Sequence, residues 1–328
     1  MTKSLYDRLS TDGTISETPQ DIPDPKFALP STIHWMRALA ILVAELGLDF
    51  PAAEKFYSHV AVRALPPREM NTVFEQLLFA LNQIAALRAI GAAPNKADVA
   101  RIAIVTWYYG IYGTCSAMIS AENGTFQDNH AATARDWGHL FPKRAGLAMP
   151  PFSDRLSSVL DATVIKEMAP VRARGVHPLV KTPTNATEAW GCVSEYLSGT
   201  ATYQQWAIRE DLKSGKEFKA LGVADFKTKA ARGLRDKAYE RRSVAFPHQA
   251  FRYRGKANYR DAIYLAYGKS VPKRLENFIV DLEQVLIGFT RMAGGYISRK
   301  IGSSEWSEFI DDLETKRAIS VSPREIWG

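Results

Sequence analysis

The chain has 328 residues, 46% hydrophobic and 23% charged, a balance that excludes a disordered chain and allows one large domain or two. Its two cysteines, Cys115 and Cys192, lie far apart, which excludes a disulfide framework or a Cys-rich zinc site and suits a reducing cytoplasm. The net charge is +7, but residues 227–260 hold eleven Lys/Arg against Asp236 and Glu240, a local +9 that leaves −2 for the rest of the chain. So concentrated a charge is the footprint expected of a polyanion partner.

In chain order, residues 1–30 are polar and broken by prolines, which predicts an extended arm without a secretory h-region. Helical patterning follows: a helix from Ser31 to about Leu48, a short one opened by Pro51, and a longer one opened by Pro66-Pro67. Asn95 caps the next, whose stretch Ile102–Ala121 carries no charge over 20 residues. That length can cross a bilayer, but its Thr, Ser and Gly content favours a buried central helix, and no membrane association is expected. Gly124 stops it. Helices are expected over 127–140, from Ser153-Asp154 to Pro170, and from Thr184 or Asn185 through about Leu212.

The basic segment begins helical, breaks at Phe246-Pro247, and resumes near Asn258 until Gly268. Between these, AFRYR alternates apolar and basic residues and reads as a short strand. Val271-Pro272 opens the last long helix, and a closing helix holds Trp306, Phe309, Ile310 and Leu313. The fold class is therefore mainly α, a multi-helix bundle. It divides into an arm (1–30), a helical domain (31–220) and a basic helical region (221–328) packed on it, or forms one continuous domain.

The motifs of phosphate-binding loops, dinucleotide folds, zinc proteases and serine hydrolases are all missing. The six histidines have no close-spaced partners, so no metal site and no cofactor is indicated. Two Arg–His spacings carry possible chemistry: Arg172-x4-His177 and Arg242-x5-His248. Histidine titrates near neutrality and can take a 2′-OH proton, while arginine holds phosphate oxygens bidentately. The competing readings are a basic loop before Pro178 for the first pair and a solvated face for the second.

Three runs, VFEQLLFALNQIAALRAIGA, ARIAIVTWYYGIYGTCSAMISAENGTFQDNHAATARDW and TEAWGCVSEYLSGTATYQQW, spread over residues 70–215, resemble the HEPN helical superfamily. The resemblance implies a HEPN-like bundle with additional C-terminal helices. In that family an Arg-x4–6-His motif is the ribonuclease signature, often completed across a homodimer, with roles in toxin–antitoxin and antiviral defence systems. Arg172 and His177 match by spacing and position; Arg242 and His248 match by spacing, outside the best-resembling region. Pro178 and Pro247 depart from the family's helical setting, and many members lack nuclease activity.

Arg241, Arg252, Arg254, Lys256 and Arg260 are expected to meet phosphates, with Tyr253 stacking on bases. Asn258 is expected to cap a helix whose amides favour an anion. Equally open is a strand with its aromatics packed inward. Tyr259, Ile263 and Tyr267 read as a core stripe, and Trp107, Tyr108, Tyr109 and Tyr112 as interior or dimer-face residues. The leading expectation is a cytoplasmic protein that binds RNA or single-stranded nucleic acid and cleaves RNA without metal, as a homodimer, with a protein partner encoded nearby. The alternatives are a non-catalytic interaction protein and a binder of a small phosphorylated ligand.

Overall fold

The computed structural model describes residues 29–143, 147–259, 263–266, 273 and 275–328. Among them the protein is mainly α, and extended pairing is limited to one antiparallel bridge between Leu156 and Val244. Arg260, Tyr267 and most of the expected N-terminal arm lie outside the described residues.

The first helices follow their sequence signals. Helix α1 (Leu29–Glu45) buries Trp35, Met36, Leu39 and Leu42. Asp49 caps α2 (Phe50–Phe56) by accepting from the Ala52 amide at 2.8 Å. Pro67 starts α3 (Pro67–Gly91), where its missing N–H costs nothing. Asn95 caps α4 (Lys96–Asn123) as expected, and Gly124 ends it at φ 75°, a conformation glycine adopts without strain. Both α3 and α4 are long and apolar enough to cross a membrane; 78% of the apolar stretch of α4 is buried in the protein, against 33% for α3. Two polar residues of α4 are satisfied within the helix: Thr114 donates to the Gly110 carbonyl at 2.8 Å and Ser116 to that of Tyr112 at 3.0 Å.

Two helices start later than expected. Asn129 caps α5 (His130–Leu140), and α6 (Asp161–Arg172) begins seven residues after Asp154. Asp154 instead pairs with Arg174, which also lies over the Trp190 ring at 3.7 Å. Asn185 caps α7 (Ala186–Ser214), followed by short α8 (Lys216–Ala220) and by α9 (Lys229–Glu240).

At Phe246-Pro247, where a break was expected, α10 (Phe246–Tyr259) begins; Pro is tolerated there because the first-turn amides need no helical partner. AFRYR is therefore helical, not a strand. Its Ala250 and Tyr253 belong to the stripe Phe246, Ala250, Tyr253 and Ala257, all buried at helical spacing, whereas Phe251 lies off the stripe and is partly exposed. Short α11 (Ile263–Ala266) follows, then α12 (Phe278–Ile301), α13 (Ser303–Lys316) and α14 (Pro323–Trp327).

One buried cluster runs from Ile33 to Trp327, so residues on both sides of position 220 share a core. At its centre α12 packs on α4, α1, α2 and α3. Small residues set the separations. A Cβ at Gly110 would come within 2.6 Å of Leu286, and one at Gly288 within 2.7 Å of Val43. At Gly295 it would meet Ala53 Cβ at 2.5 Å and the Glu54 amide nitrogen at 2.9 Å. A smaller cluster joins Leu156 and Val159 to α6, α7 and Tyr239 of α9, and a third packs Phe218 on Phe226 and Ala231.

Because the neighbours of Gly295 include backbone that cannot rotate away, Gly295→Ala is expected to destabilise the protein by about 1–3 kcal/mol. Gly233→Ala, in α9 with nothing near the new methyl group, should stabilise by about 0.5–1 kcal/mol. Urea denaturation of both variants measures the contrast.

Candidate nucleic-acid interface

Helix α9 divides its residues by face. Ala231 and Tyr239 are buried, and the Tyr239 hydroxyl donates to the Gln205 carbonyl of α7 at 3.2 Å. Lys229, Arg232 and Lys237 are exposed, followed by exposed Arg241 and Arg242. Among the described residues none of these five meets a carboxylate. By contrast Lys227 pairs with Asp225 at 2.9 Å and Arg235 with Asp236 at 2.7 Å, so a carboxylate already offsets part of each charge. The linker after Arg242 is pinned on one side, where Val244 and Leu156 exchange both backbone hydrogen bonds at 2.9 and 2.8 Å.

His248 stands at the third position of α10. Its ring bends back so that Nδ1 accepts from the Ala245 amide at 3.2 Å, while the His248 amide donates to the Ala245 carbonyl at 3.0 Å. The ring thus plays the part that Glu or Gln plays in a capping box. Only 9% of the residue is exposed. Burial lowers its pKa to about 4, helped by the positive charges of Arg242, His139 and Arg135. With Nδ1 accepting, the neutral ring carries its proton on Nε2. At pH 7 the outward nitrogen is therefore a hydrogen-bond donor. A general base at Nε2 would need the tautomer that the Ala245 amide disfavours. Arg242 is near enough for its charge to oppose protonation of His248.

The rest of the basic segment separates into different environments. Arg252, expected at a phosphate, is buried: it donates to Thr200 Oγ1 at 2.9 Å and lies 5.2 Å from the ring centres of both Tyr196 and Tyr203. The reason is the α10 register, which points it at α7. Tyr253, expected to stack on bases, is fully buried against Trp35 and Trp107. Asn258 caps no helix; it lies in the last turn of α10, and its carbonyl accepts from Arg101 at 3.0 Å. The small-phosphate site expected at a helix start there is thereby lost. Arg254 and Lys256 are half-buried, with Arg254 over Tyr108 at 5.0 Å and over half-exposed Phe251 at 5.3 Å. Arg260 is outside the described residues.

The first Arg–His pair is drawn apart. Arg172 donates to Ser198 Oγ at 3.2 Å, whereas His177 sits where its backbone presses on Gly191, with its Nε2 at 3.2 Å from the Lys181 carbonyl. Ser198 and Gly191 are two turns apart on α7, roughly 10 Å along the helix axis.

Arg135 and His139 of α5 escaped the sequence reading. Both are exposed and both lie near His248. Their one-turn spacing on a helix was visible, but nothing in the sequence linked them to a residue more than a hundred positions away. Elsewhere, a cavity of about 480 Å³ between α2, α12 and α13 contains Arg299 and Arg324. Those cations face Glu54 and Asp311, so it is no open anion site. Both cysteines are buried, which raises their thiol pKa values, that of Cys192 to about 12. Comparison with protein-family models, with curated proteins and with solved structures gave no match.

The depressed His248 pKa has a direct consequence for stability. The unfolded chain binds a proton near pH 6.5 that the folded protein refuses until about pH 4, so stability falls as pH drops through that window. His248→Gln keeps the back-bond to Ala245 and removes the titration. Its acid destabilisation between pH 7 and 4 should be smaller by on the order of 3 kcal/mol, read from urea melts. Arg252→Ala should cost about 2–4 kcal/mol in the same assay at pH 7.

Proposed function

We propose that this protein binds single-stranded nucleic acid, RNA before DNA, through the phosphate-facing surface formed by α9 and the Arg241–Arg242 linker. One observation carries the reading. Lys229, Arg232, Lys237, Arg241 and Arg242 are all exposed, with no carboxylate partner among the described residues. Unmatched cations on one short stretch are what a phosphate backbone neutralises, with release of counterions. Half-exposed Phe251, with Arg254 above it, adds a stacking surface of the kind single strands use. The HEPN resemblance supports RNA as the polymer.

Metal-independent RNA cleavage is the second reading, favoured by the gathering of Arg242 and His248. In it Arg242 holds the scissile phosphate by charge, the 2′-oxygen bonds to phosphorus as solvent water takes its proton, and the P–O5′ bond breaks with His248 Nε2–H hydrogen-bonded to the departing 5′-oxygen, which takes a proton from solvent. Incubating RNA with the protein in EDTA tests this directly. Products ending in 2′,3′-cyclic phosphate support it, and intact RNA removes it while leaving the binding proposal in place.

Binding is measured by fluorescence anisotropy with a labelled single-stranded RNA between 50 and 200 mM salt. The affinity should fall steeply, and replacing Lys229, Arg232 and Lys237 together by Ala should flatten the log–log slope by about 2 at roughly 0.7 per phosphate contact. Failure to bind either RNA or single-stranded DNA at low salt refutes the proposal.

A further inference from the structure

We infer that Arg135 and His139 of α5 join Arg242 and His248 in one composite site for a single phosphodiester, built from two stretches more than a hundred residues apart. This rests on the nucleic-acid reading above and names the place where the backbone is gripped most closely.

The geometry begins at Gly138. A Cβ there would lie 3.2 Å from the Ala245 Cβ and 3.7 Å from His248 Cε1. The start of α10 therefore sits directly on the α5 backbone, with the edge of the His248 ring against Gly138. Cε1 is bonded to both ring nitrogens. Since Nδ1 is taken by the Ala245 amide, Nε2 is the free nitrogen on that edge. Arg135 and His139 flank Gly138, one turn apart and on one side of the helix, where i and i+4 side chains are neighbours. Both are exposed. Arg242 approaches from the other element, held by the Val244–Leu156 bridge two residues later. The same neighbourhood is reflected in the electrostatics of His248: burial disfavours its protonation first, and the charges of Arg242, His139 and Arg135 oppose it further.

The donor set identifies the ligand. Two guanidiniums present planar forks that match phosphate oxygens, and His248 adds a neutral N–H donor. Asp136 offsets part of the charge through its contact with Arg135 Nε at 3.1 Å. Two arginines against one aspartate leave a net positive charge, the complement of a phosphodiester. None of the four is a carboxylate or a thiolate, so the site is suited to anions. It also continues from the α9 surface through Arg241 and Arg242, which gives a bound strand a path from α9 onto α5.

The test uses the full chain and the same labelled single-stranded RNA at 100 mM salt. The double variant Arg135→Ala/His139→Ala removes two exposed side chains outside the 227–260 basic segment. It should weaken binding by about tenfold, with a slope lower by about 0.7 for the lost arginine contact. The Lys229/Arg232/Lys237 triple variant is measured beside it. If the triple variant weakens binding and the double variant binds like the wild type, the composite site is wrong and the nucleic-acid reading survives. If neither weakens it, both fail. A second readout needs no variant. On adding the RNA, the backbone amide resonances of Gly138 and His139 should shift, and resonances that stay in place at saturation overturn the proposal.

Discussion

The close approach of α12 to its neighbours is the constraint from which the rest of the structure follows. Gly288, Gly294 and Gly295 let Val43, Trp327 and Ala53 reach its backbone, while Gly110 on α4 admits Leu286 of α12. Larger residues at these points would open the space between helices and forfeit the dense contacts that stabilise an interior. At the far end of α12 the Tyr296 hydroxyl and the Lys300 ammonium both reach Glu122 of α4, at 2.5 and 2.7 Å. With both ends of the Lys300–Glu122 pair largely buried, loss of either partner would strand a charge out of water. The C-terminus is drawn into the same arrangement: Trp327 donates to the Thr290 carbonyl at 3.0 Å, and Arg88 of α3 binds Glu283 and Glu325.

This frame determines how the basic segment is used. Helix α10 seats its apolar stripe against α4 and α5, and Trp35, Trp107, Phe246 and Tyr253 interlock there with ring centres 5.5–6.3 Å apart. Once Tyr253 enters that cluster, the helix period turns Arg252 inward toward α7 and leaves Arg254 and Phe251 near the surface. The aromatic residues thus fix which cations remain available. A local charge of +9 in the sequence becomes a smaller set of unmatched cations on α9 and the linker, because Arg252 is buried and Lys227 and Arg235 already face carboxylates.

The same packing alters the chemistry of His248. In sequence it is a histidine six positions after an arginine, with the ordinary titration of its kind. In the folded chain its Nδ1 completes the start of α10, and burial keeps it neutral. A group used to cap a helix has one nitrogen committed, and its remaining nitrogen is a donor. The contrast with Arg172 and His177 is instructive: an equally suggestive spacing is dispersed along α7 because the loop between them presses its backbone onto Gly191.

Much of the helical architecture was legible in the sequence, because its signals act over a few residues. Asn95, Asn185, Pro67 and Gly124 mark real helix ends through hydrogen bonds and backbone angles that are local. The central position of α4 followed from its uncharged length. The strand expected at AFRYR shows the limit, since five alternating residues fit a period of two, and the stripe from Phe246 to Ala257 declares a helix only over a longer window. The charge of the segment was also determined by sequence alone. Which of its cations face water was not, because that depends on the α10 register against Tyr196, Tyr203 and Trp35, contacts made across dozens to hundreds of residues. Nor was the meeting of α5 with the start of α10, which exists because a glycine at position 138 lets Ala245 and His248 come against its backbone. Local chemistry wrote the helices; steric fit between distant surfaces decided which side chains are buried and which are left facing water.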